Sequence, residues 1–236
     1  MAVNRNHKDK LGYTKKNRVL RSTYPYTWFF LVNGECTENN YLKEMYKFLQ
    51  VKCNNLNSRW DVKPSEYNTL SLVNQVEDYS RNYPYIFDKK FVVFDKDDCI
   101  APFDNAIKKS ESKEYICLWN NESIEQWFLW HFKDVDCNHG RNWCNQELSD
   151  IFRQKGIADR YDKRDSKIFE YLWKYGNFKS AVNNAKRNEK IHEDHIKNGK
   201  YNKAVPCTQM HLLFEIIEKD MGYDIVEEQN KYKNEK

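Results

Sequence analysis

KKFVVFDKDD, residues 89–98, decides the fold. Phe91, Val92, Val93 and Phe94 form a short apolar run rich in β-branched and aromatic side chains, which reads as a strand buried on both faces. Asp95, Asp97 and Asp98 follow at once, so three carboxylates stand at the strand's carboxyl end. Upstream, Tyr26 to Val32 is another bulky strand, ended by Asn33-Gly34-Glu35. Thr37 and Glu38 then open a helix, Thr37 as a cap and Glu38 in the first turn, where the helix dipole favours an anion. That helix carries Tyr41, Leu42, Met45, Tyr46, Phe48 and Leu49 at helical spacing. A polar loop holds Cys53, Asn54, Asn55, Asn57 and Ser58. A weaker strand is predicted over 60–63, stopped by Pro64, and a helix over 68–81. Downstream of the opening stretch come a helix near 103–110 and a buried strand over 115–119. A helix capped by Asn120 or Asn121 then runs through Ile124, Trp127, Phe128, Leu129, Trp130 and Phe132. Strand and helix alternate four times, which predicts an α/β fold with a Rossmann-like parallel sheet flanked by helices.

Past residue 136 the strand signals stop. Helices are expected over 145–155, 165–175, 178–198 and 208–220, the last introduced by Pro206 with Thr208 as its cap. The chain thus divides into a basic arm (1–22), an α/β core (23–136) and a helical C-terminal region (137–236).

Composition bounds the function classes. Hydrophobic residues are 40% and aromatics 15% of the 236 residues, so Tyr, Phe and Trp supply core area in a folded chain. The net charge is only +4, but Arg5, Lys8, Lys10, Lys15, Lys16, Arg18 and Arg21 face Asp9 alone in the first 22 residues. Such an arm suits phosphate backbones, or it is a solvated terminus. No apolar stretch follows the first charges, so neither a signal peptide nor a membrane partner is expected. Seven cysteines without regular spacing fit a reducing cytoplasm. A Walker A loop, a G-x-S-x-G and a G-x-G-x-x-G are all missing from the sequence, which argues against intrinsic ATP hydrolysis and serine hydrolase chemistry.

In an open α/β sheet, ligands bind beyond the carboxyl ends of the strands. If the first and third strands are neighbours, Glu35, Asp95 and Asp97 converge there. Two unpaired carboxylates about 4 Å apart repel by about 4 kcal/mol at an effective dielectric of 20, a cost that a divalent cation removes. Hard oxygen ligands with no His or Cys pattern nearby favour Mg²⁺ or Mn²⁺. Fully exposed, the same residues are a solvated acidic turn. The three are candidate metal ligands and catalytic residues, with Glu38 and Asp98 as accessory positions. Because Asp95 stands at a strand end, its replacement by alanine is expected to leave the fold intact. Glu125 and His131 share the aromatic helix; Glu125 is either a further catalytic residue or a core residue, and the same alternatives hold for His131 as an accessory. Lys163, Arg164, Lys186 and Arg187 lie among Tyr161, Tyr171 and Tyr175, a mixture that suits single-stranded nucleic acid and equally suits exposed helices.

Several of these blocks carry a resemblance. A Gly-Glu turn after the first strand with D-x-D after a later one resembles the TOPRIM fold of topoisomerases, primases and OLD-type nucleases. Gly34-Glu35-Cys36-Thr37-Glu38-Asn39-Asn40-Tyr41 is similar to the G-E-x-T-E-x-x-Y opening of the RloB-like family. Phe94-Asp95-Lys96-Asp97-Asp98 matches its F-D-x-D-D, and Asn121, Glu125, Trp127, Leu129, His131 and Phe132 its N-x-x-x-E-x-W-x-L-x-H-F helix. Tyr161-Asp162-Lys163 resembles its Y-x-K, and Pro206-Cys207-Thr208 its P-x-T. Two departures stand out: Asn33 where many members are acidic, and Glu122-Ser123-Ile124 in place of a proline and a phenylalanine. The resemblance implies a Mg²⁺- or Mn²⁺-dependent TOPRIM-type nuclease of bacterial antiphage defence and abortive infection. It also implies an ABC-type ATPase partner and a nucleic-acid substrate, with RNA such as tRNA, or DNA, both open. A homodimer is a further option. Two other classes stay in play, a non-catalytic partner or sensor subunit of a defence complex and a phosphotransfer protein.

Overall fold

A computed structural model describes residues 23–52, 58–97, 100–135 and 139–235. The basic arm, most of the Cys53–Ser58 loop and Asp98 lie outside the described residues. The first half alternates as the apolar runs require: β1 (Tyr26–Asn33), α1 (Thr37–Lys52), β2 (Ser58–Ser65), α2 (Thr69–Ser80), β3 (Lys89–Asp95), α3 (Ile100–Ser112), β4 (Ile116–Asn121) and α4 (Glu125–Trp130). These four strands are parallel, in the order β2-β1-β3-β4. β1 and β3 are neighbours, with Leu31 opposite Val92 and Val32 opposite Val93.

Side chains alternate across a strand, and the two core clusters follow that period. Trp28, Phe30, Phe91, Val93 and Leu118 point to one face; Phe29, Leu31, Val92, Phe94 and Trp119 point to the other. α2 and α3 cover the second face with Leu72, Val76, Phe103 and Ile107. The first face is covered by α1 and α4, and by helices from the second half of the chain. Every residue of α4 is buried. Such a helix is apolar nearly all round because it packs on several sides at once.

The second half contributes α5 (Gly140–Gln154), α6 (Ile168–Tyr175), α7 (Phe178–Ile191), α8 (Glu193–Lys197), a short 3₁₀ turn over Tyr201–Lys203, β5 (Cys207–Thr208), α9 (His211–Met221) and α10 (Ile225–Asn234). Phe152, Phe169, Phe178, Leu213 and Ile225 from these elements join the core of the first sheet face. β5 runs antiparallel against β4 and closes the sheet's far edge, with Thr208 opposite Asn120.

Several local expectations change. β2 continues through Pro64 to Ser65, with Pro64 opposite Val32. An edge strand accepts proline because the missing N–H costs no ladder bond there. Asn120 and Asn121 are strand residues, not caps. Thr208 is likewise in a strand, and α9 starts only at His211. The expected long helix over 178–198 breaks at His192 into α7 and α8. α10 was not expected; Asp224 caps it by accepting from the Val226 and Glu227 amides at 2.8 and 3.0 Å.

Candidate functional site

The site grows from the carboxyl ends of β1, β3 and β4. Asp95 ends β3 and is only 4% exposed. Its Oδ1 accepts from Asn120 Nδ2 and from the Ile124 backbone N–H, each at 3.0 Å. Its Oδ2 accepts from Arg141 Nη2 at 2.6 Å. Asp97, two residues on, has φ of +45°, a left-handed conformation that aspartate tolerates better than most residues. It pairs with Arg141 Nη1. Glu125 opens α4 and is 1% exposed. Its Oε1 accepts from Tyr161 Oη at 3.2 Å and lies 3.4 Å from Lys163 Nζ. Its Oε2 lies 3.9 Å from Arg141 Nε and is buried without a hydrogen bond.

Arg141 is therefore the hub of the cluster, and sequence reasoning missed it. It stands in the first turn of α5, where the helix dipole disfavours a cation. An arginine there is itself a signal that carboxylates stand close by, but the expected helix began at residue 145 and hid it.

The sequence-predicted residues divide. Asp95, Asp97, Glu125 and Lys163 are brought together. Glu38 joins them: buried in α1, its carboxyl is pushed up to about 8 by desolvation, with the charges of Glu125 and Asp97 adding to the rise. Burial, then the charges of Glu38 and Glu125, also push the Asp95 carboxyl well up, against the pull of Arg141. Glu35 is exposed, and no described residue gives its carboxylate a hydrogen bond or an ion pair; its backbone carbonyl accepts from Asn39 Nδ2 at 3.0 Å. The turn that holds it is set by Gly34, at φ of +74°, whose N–H donates to the Ser65 carbonyl at 2.8 Å. Asn33 donates to the Tyr67 carbonyl at 3.0 Å. Arg164 is exposed beside the site, its carbonyl accepting from Asn40 Nδ2 at 3.1 Å. Lys186 and Arg187 lie on α7 and pair with Glu215 and Asp134, away from the acidic cluster.

His131 follows α4 and is buried in the core. Its Nδ1 donates to the Trp127 carbonyl at 2.9 Å, and its ring meets Trp127 and Phe178 edge-on. Desolvation pushes its pKa down to about 3, so it is neutral. Gly176 makes room for it, since a Cβ there would sit 2.8 Å from the His131 Cβ.

The late P-x-T residue reaches the same site from β5. Thr208 Oγ1 donates to Asn120 Oδ1 at 2.5 Å, and Asn120 in turn donates to Asp95. Asn121 is held by the Tyr201 and Asn202 carbonyls at 3.1 and 3.2 Å. A cavity of about 400 Å³ opens beside the cluster, lined by Asp97, Glu122, His139, Gly140, Arg141 and Asn142.

The expectation that alanine at position 95 spares the fold does not survive this geometry. Asp95 is no exposed strand end but the buried acceptor for three donors.

Oxygen donors alone make up the acidic set, and the buried, unpaired Glu125 Oε2 is the kind of atom a hard divalent cation would satisfy. In donor chemistry the set fits Mg²⁺ or Mn²⁺. The spacing does not make a finished cage: among the described residues, no three His, Cys, Asp or Glu side chains gather closely enough to hold a metal ion. Nor is any described helix long and apolar enough to cross a membrane.

Fold and site together define a Rossmann-like α/β protein with a buried acidic cluster beyond the carboxyl ends of its parallel strands. The family model for RloB-like protein matches residues 29–217, and the chain belongs to the RloB-like family. No curated protein and no solved structure matches the chain.

Proposed function

We propose that the chain is a TOPRIM-type, metal-dependent nuclease that hydrolyses phosphodiester bonds of RNA or DNA in bacterial antiphage defence. It would act in the cytoplasm beside an ABC-type ATPase partner. The observation that supports this best is the convergence of Asp95, Asp97, Glu125 and Glu38 with two cations, Arg141 and Lys163, at the sheet end where α/β proteins bind ligands. Five separate blocks of the chain deliver these residues to one place.

Asp95, Asp97 and Glu125 are the residues that would hold Mg²⁺ or Mn²⁺. When bound, the ion supplies positive charge at the phosphoryl oxygens and lowers the pKa of a nucleophilic water. The chain's own residues do the rest. Tyr161 and Lys163 fix the Glu125 carboxylate from one side. Asn120, braced by Thr208, and the Ile124 amide fix Asp95. Lys163 and Arg141 offer cationic N–H groups to a phosphate oxygen, where charge develops during cleavage. Burial holds the Glu38 carboxyl well above the usual carboxylate range, which favours its protonated form beside the cluster. The adjoining cavity, about 400 Å³, is within the range of small-ligand sites and suits one nucleotide.

Mixed tRNA, plasmid and single-stranded DNA, incubated with the protein and Mg²⁺, Mn²⁺ or EDTA, with and without the ATPase partner, tests the reading. Cleavage that needs metal and disappears in Asp97→Asn supports it; cleavage that survives EDTA or that substitution rejects it. One observation favours a second reading, a non-catalytic partner subunit. Arg141 already pairs with two of the carboxylates. A defence complex that works equally well with Asp97→Asn would select that alternative.

A further inference from the structure

We propose that the cavity beside the acidic cluster is a guanine subsite, in which the Glu122 carboxylate reads the base. The inference rests on the reading that the chain acts on nucleic acid, and it needs no metal ion.

The cavity measures about 400 Å³, and Asp97, Glu122, His139, Arg141 and Asn142 stand in its wall. Charge decides which part of a nucleotide enters. Asp97 and Glu122 repel a phosphate, whereas a neutral base edge rich in N–H groups meets them as acceptors. The phosphates of the same strand are left to Lys163 and Arg164, which flank the acidic cluster.

The two carboxylates in the wall are not equivalent. Asp97 is already paired with Arg141. The Glu122 carboxylate accepts no hydrogen bond among the described residues. Its ion-pair partner is Lys96, whose Nζ lies 3.8 Å from Oε1, beyond hydrogen-bond reach. The side chain is 32% exposed, so a ligand in the cavity can reach it. Its backbone is held in place, because the Lys96 N–H donates to the Glu122 carbonyl at 3.2 Å. Its Oε2 stands 3.7 Å from the position of a Cβ on Gly140, which sets the carboxylate against the first turn of α5, beside Arg141 and Asn142.

Two acceptor oxygens side by side select among the bases. Guanine presents two adjacent donors on its pairing edge, N1–H and N2–H, and so meets both oxygens at once. Adenine and cytosine set a ring-nitrogen acceptor beside their amino group. Uracil flanks its single N3–H with two carbonyls. Each of these turns a lone pair toward the carboxylate. Asn142 carries a side-chain amide in the same wall, able to donate to the guanine O6. His139 supplies a platform. Its exposed ring lies 4.1 Å from that of Trp143 at 31°, so a base laid on His139 extends an existing stack.

The test is fluorescence anisotropy of the full chain in EDTA with single-stranded pentamers, RNA and DNA. The middle base is varied among guanine, adenine, cytosine and uracil or thymine, and guanosine monophosphate is titrated separately. The guanine strand should bind about tenfold tighter or more, the discrimination of one good bidentate base contact. Glu122→Gln should erase that preference while leaving the other three strands bound as before. Its Tm should stay near that of the parent; were it to fall, Glu122→Asp, which draws the charge back by one methylene, makes the same comparison. His139→Ala should weaken all four strands alike. Equal binding of the four by the parent overturns the guanine subsite and leaves the nucleic-acid reading standing. A guanine preference that persists in both Glu122 variants overturns the assignment to this cavity. Guanosine monophosphate binding as tightly as the guanine strand, and lost in Glu122→Gln, keeps the subsite and rejects the nucleic-acid reading. Binding of neither strand nor free nucleotide overturns both.

Discussion

At the scale of the residue, burial separates two acidic side chains that look alike in the chain. Asp95, only 4% exposed, accepts from Arg141, Asn120 and the Ile124 amide. Asp95→Ala strands the Asn120 amide and the Ile124 N–H, while Arg141 keeps its pair with Asp97; a buried donor left unsatisfied typically costs about 1–3 kcal/mol. We expect that loss in urea unfolding, with Asp95→Asn intermediate because it still offers one oxygen. Glu35→Ala, at an exposed turn, should stay within about 0.5 kcal/mol of the parent. Equal stability of the two alanine variants would mean that Asp95 is not the buried anchor described. Arg141 is not legible from the local sequence in the same way. No motif marks it, and a cation in a first helical turn reads as a misfit until its carboxylate partners are in view. Glu38 was legible as an acidic residue in a first turn and as an accessory position, but its burial beside Asp95 and Glu125 was not.

At the scale of elements, two contacts join the second half of the chain to the first. The α1 residue Glu44 accepts from the Phe169 amide at the start of α6, at 2.8 Å. Burial pushes its carboxyl from 4.5 up to about 7, its backbone hydrogen bonds opposing the rise. A folded-state pKa above the unfolded one means the folded chain keeps a proton that the unfolded chain has lost. The contribution is fully present below 4.5 and is lost as pH rises to about 7. We therefore expect Glu44→Gln to flatten the fall in stability between these limits, measured as denaturant midpoints at pH 5, 6 and 7; parallel curves for parent and variant would refute the assignment. β5 is the second contact. Thr208 donates to Asn120 and accepts from the Met210 amide at 3.1 Å. Thr208→Val leaves both buried partners unsatisfied, a cost of about 1–3 kcal/mol. If the site cleaves nucleic acid as proposed, the substitution should also loosen Asn120 and lower cleavage at temperatures where the chain stays folded, checked by melting curves beside the cleavage assay. A two-residue strand gives no periodic signal, so only pairing with β4 reveals it.

At the scale of the whole molecule, a nearly neutral body carries its strongest positive charge in residues 1–22, which lie outside the described residues. Deleting them should weaken nucleic-acid binding and flatten its salt dependence. If all of the arm's excess charge engages phosphates, the log–log slope on single strands is about −4, and the deletion should remove it. An unchanged slope in fluorescence anisotropy across a salt series would show that the arm does not contact phosphate. Of the nucleic-acid candidates, Lys163 and Arg164 flank the acidic cluster while Lys186 and Arg187 are engaged on α7. Their interleaving with tyrosines suited either a nucleic-acid surface or ordinary exposed helices, and only the fold separates the two pairs. The sequence by itself determined the parallel α/β order, Asp95 at the end of β3 with Asp97 just beyond it, and Glu125 on the aromatic helix. Each is written in local periodicity and turn chemistry, which act over a few residues. Only the tertiary structure decided that Glu38 rather than Glu35 joins the cluster, that Thr208 braces Asp95 through Asn120, that His131 belongs to the core, and that Arg141 holds the centre. Those outcomes depend on which buried faces meet across tens of residues, and desolvation and charge pairing act only once they have met.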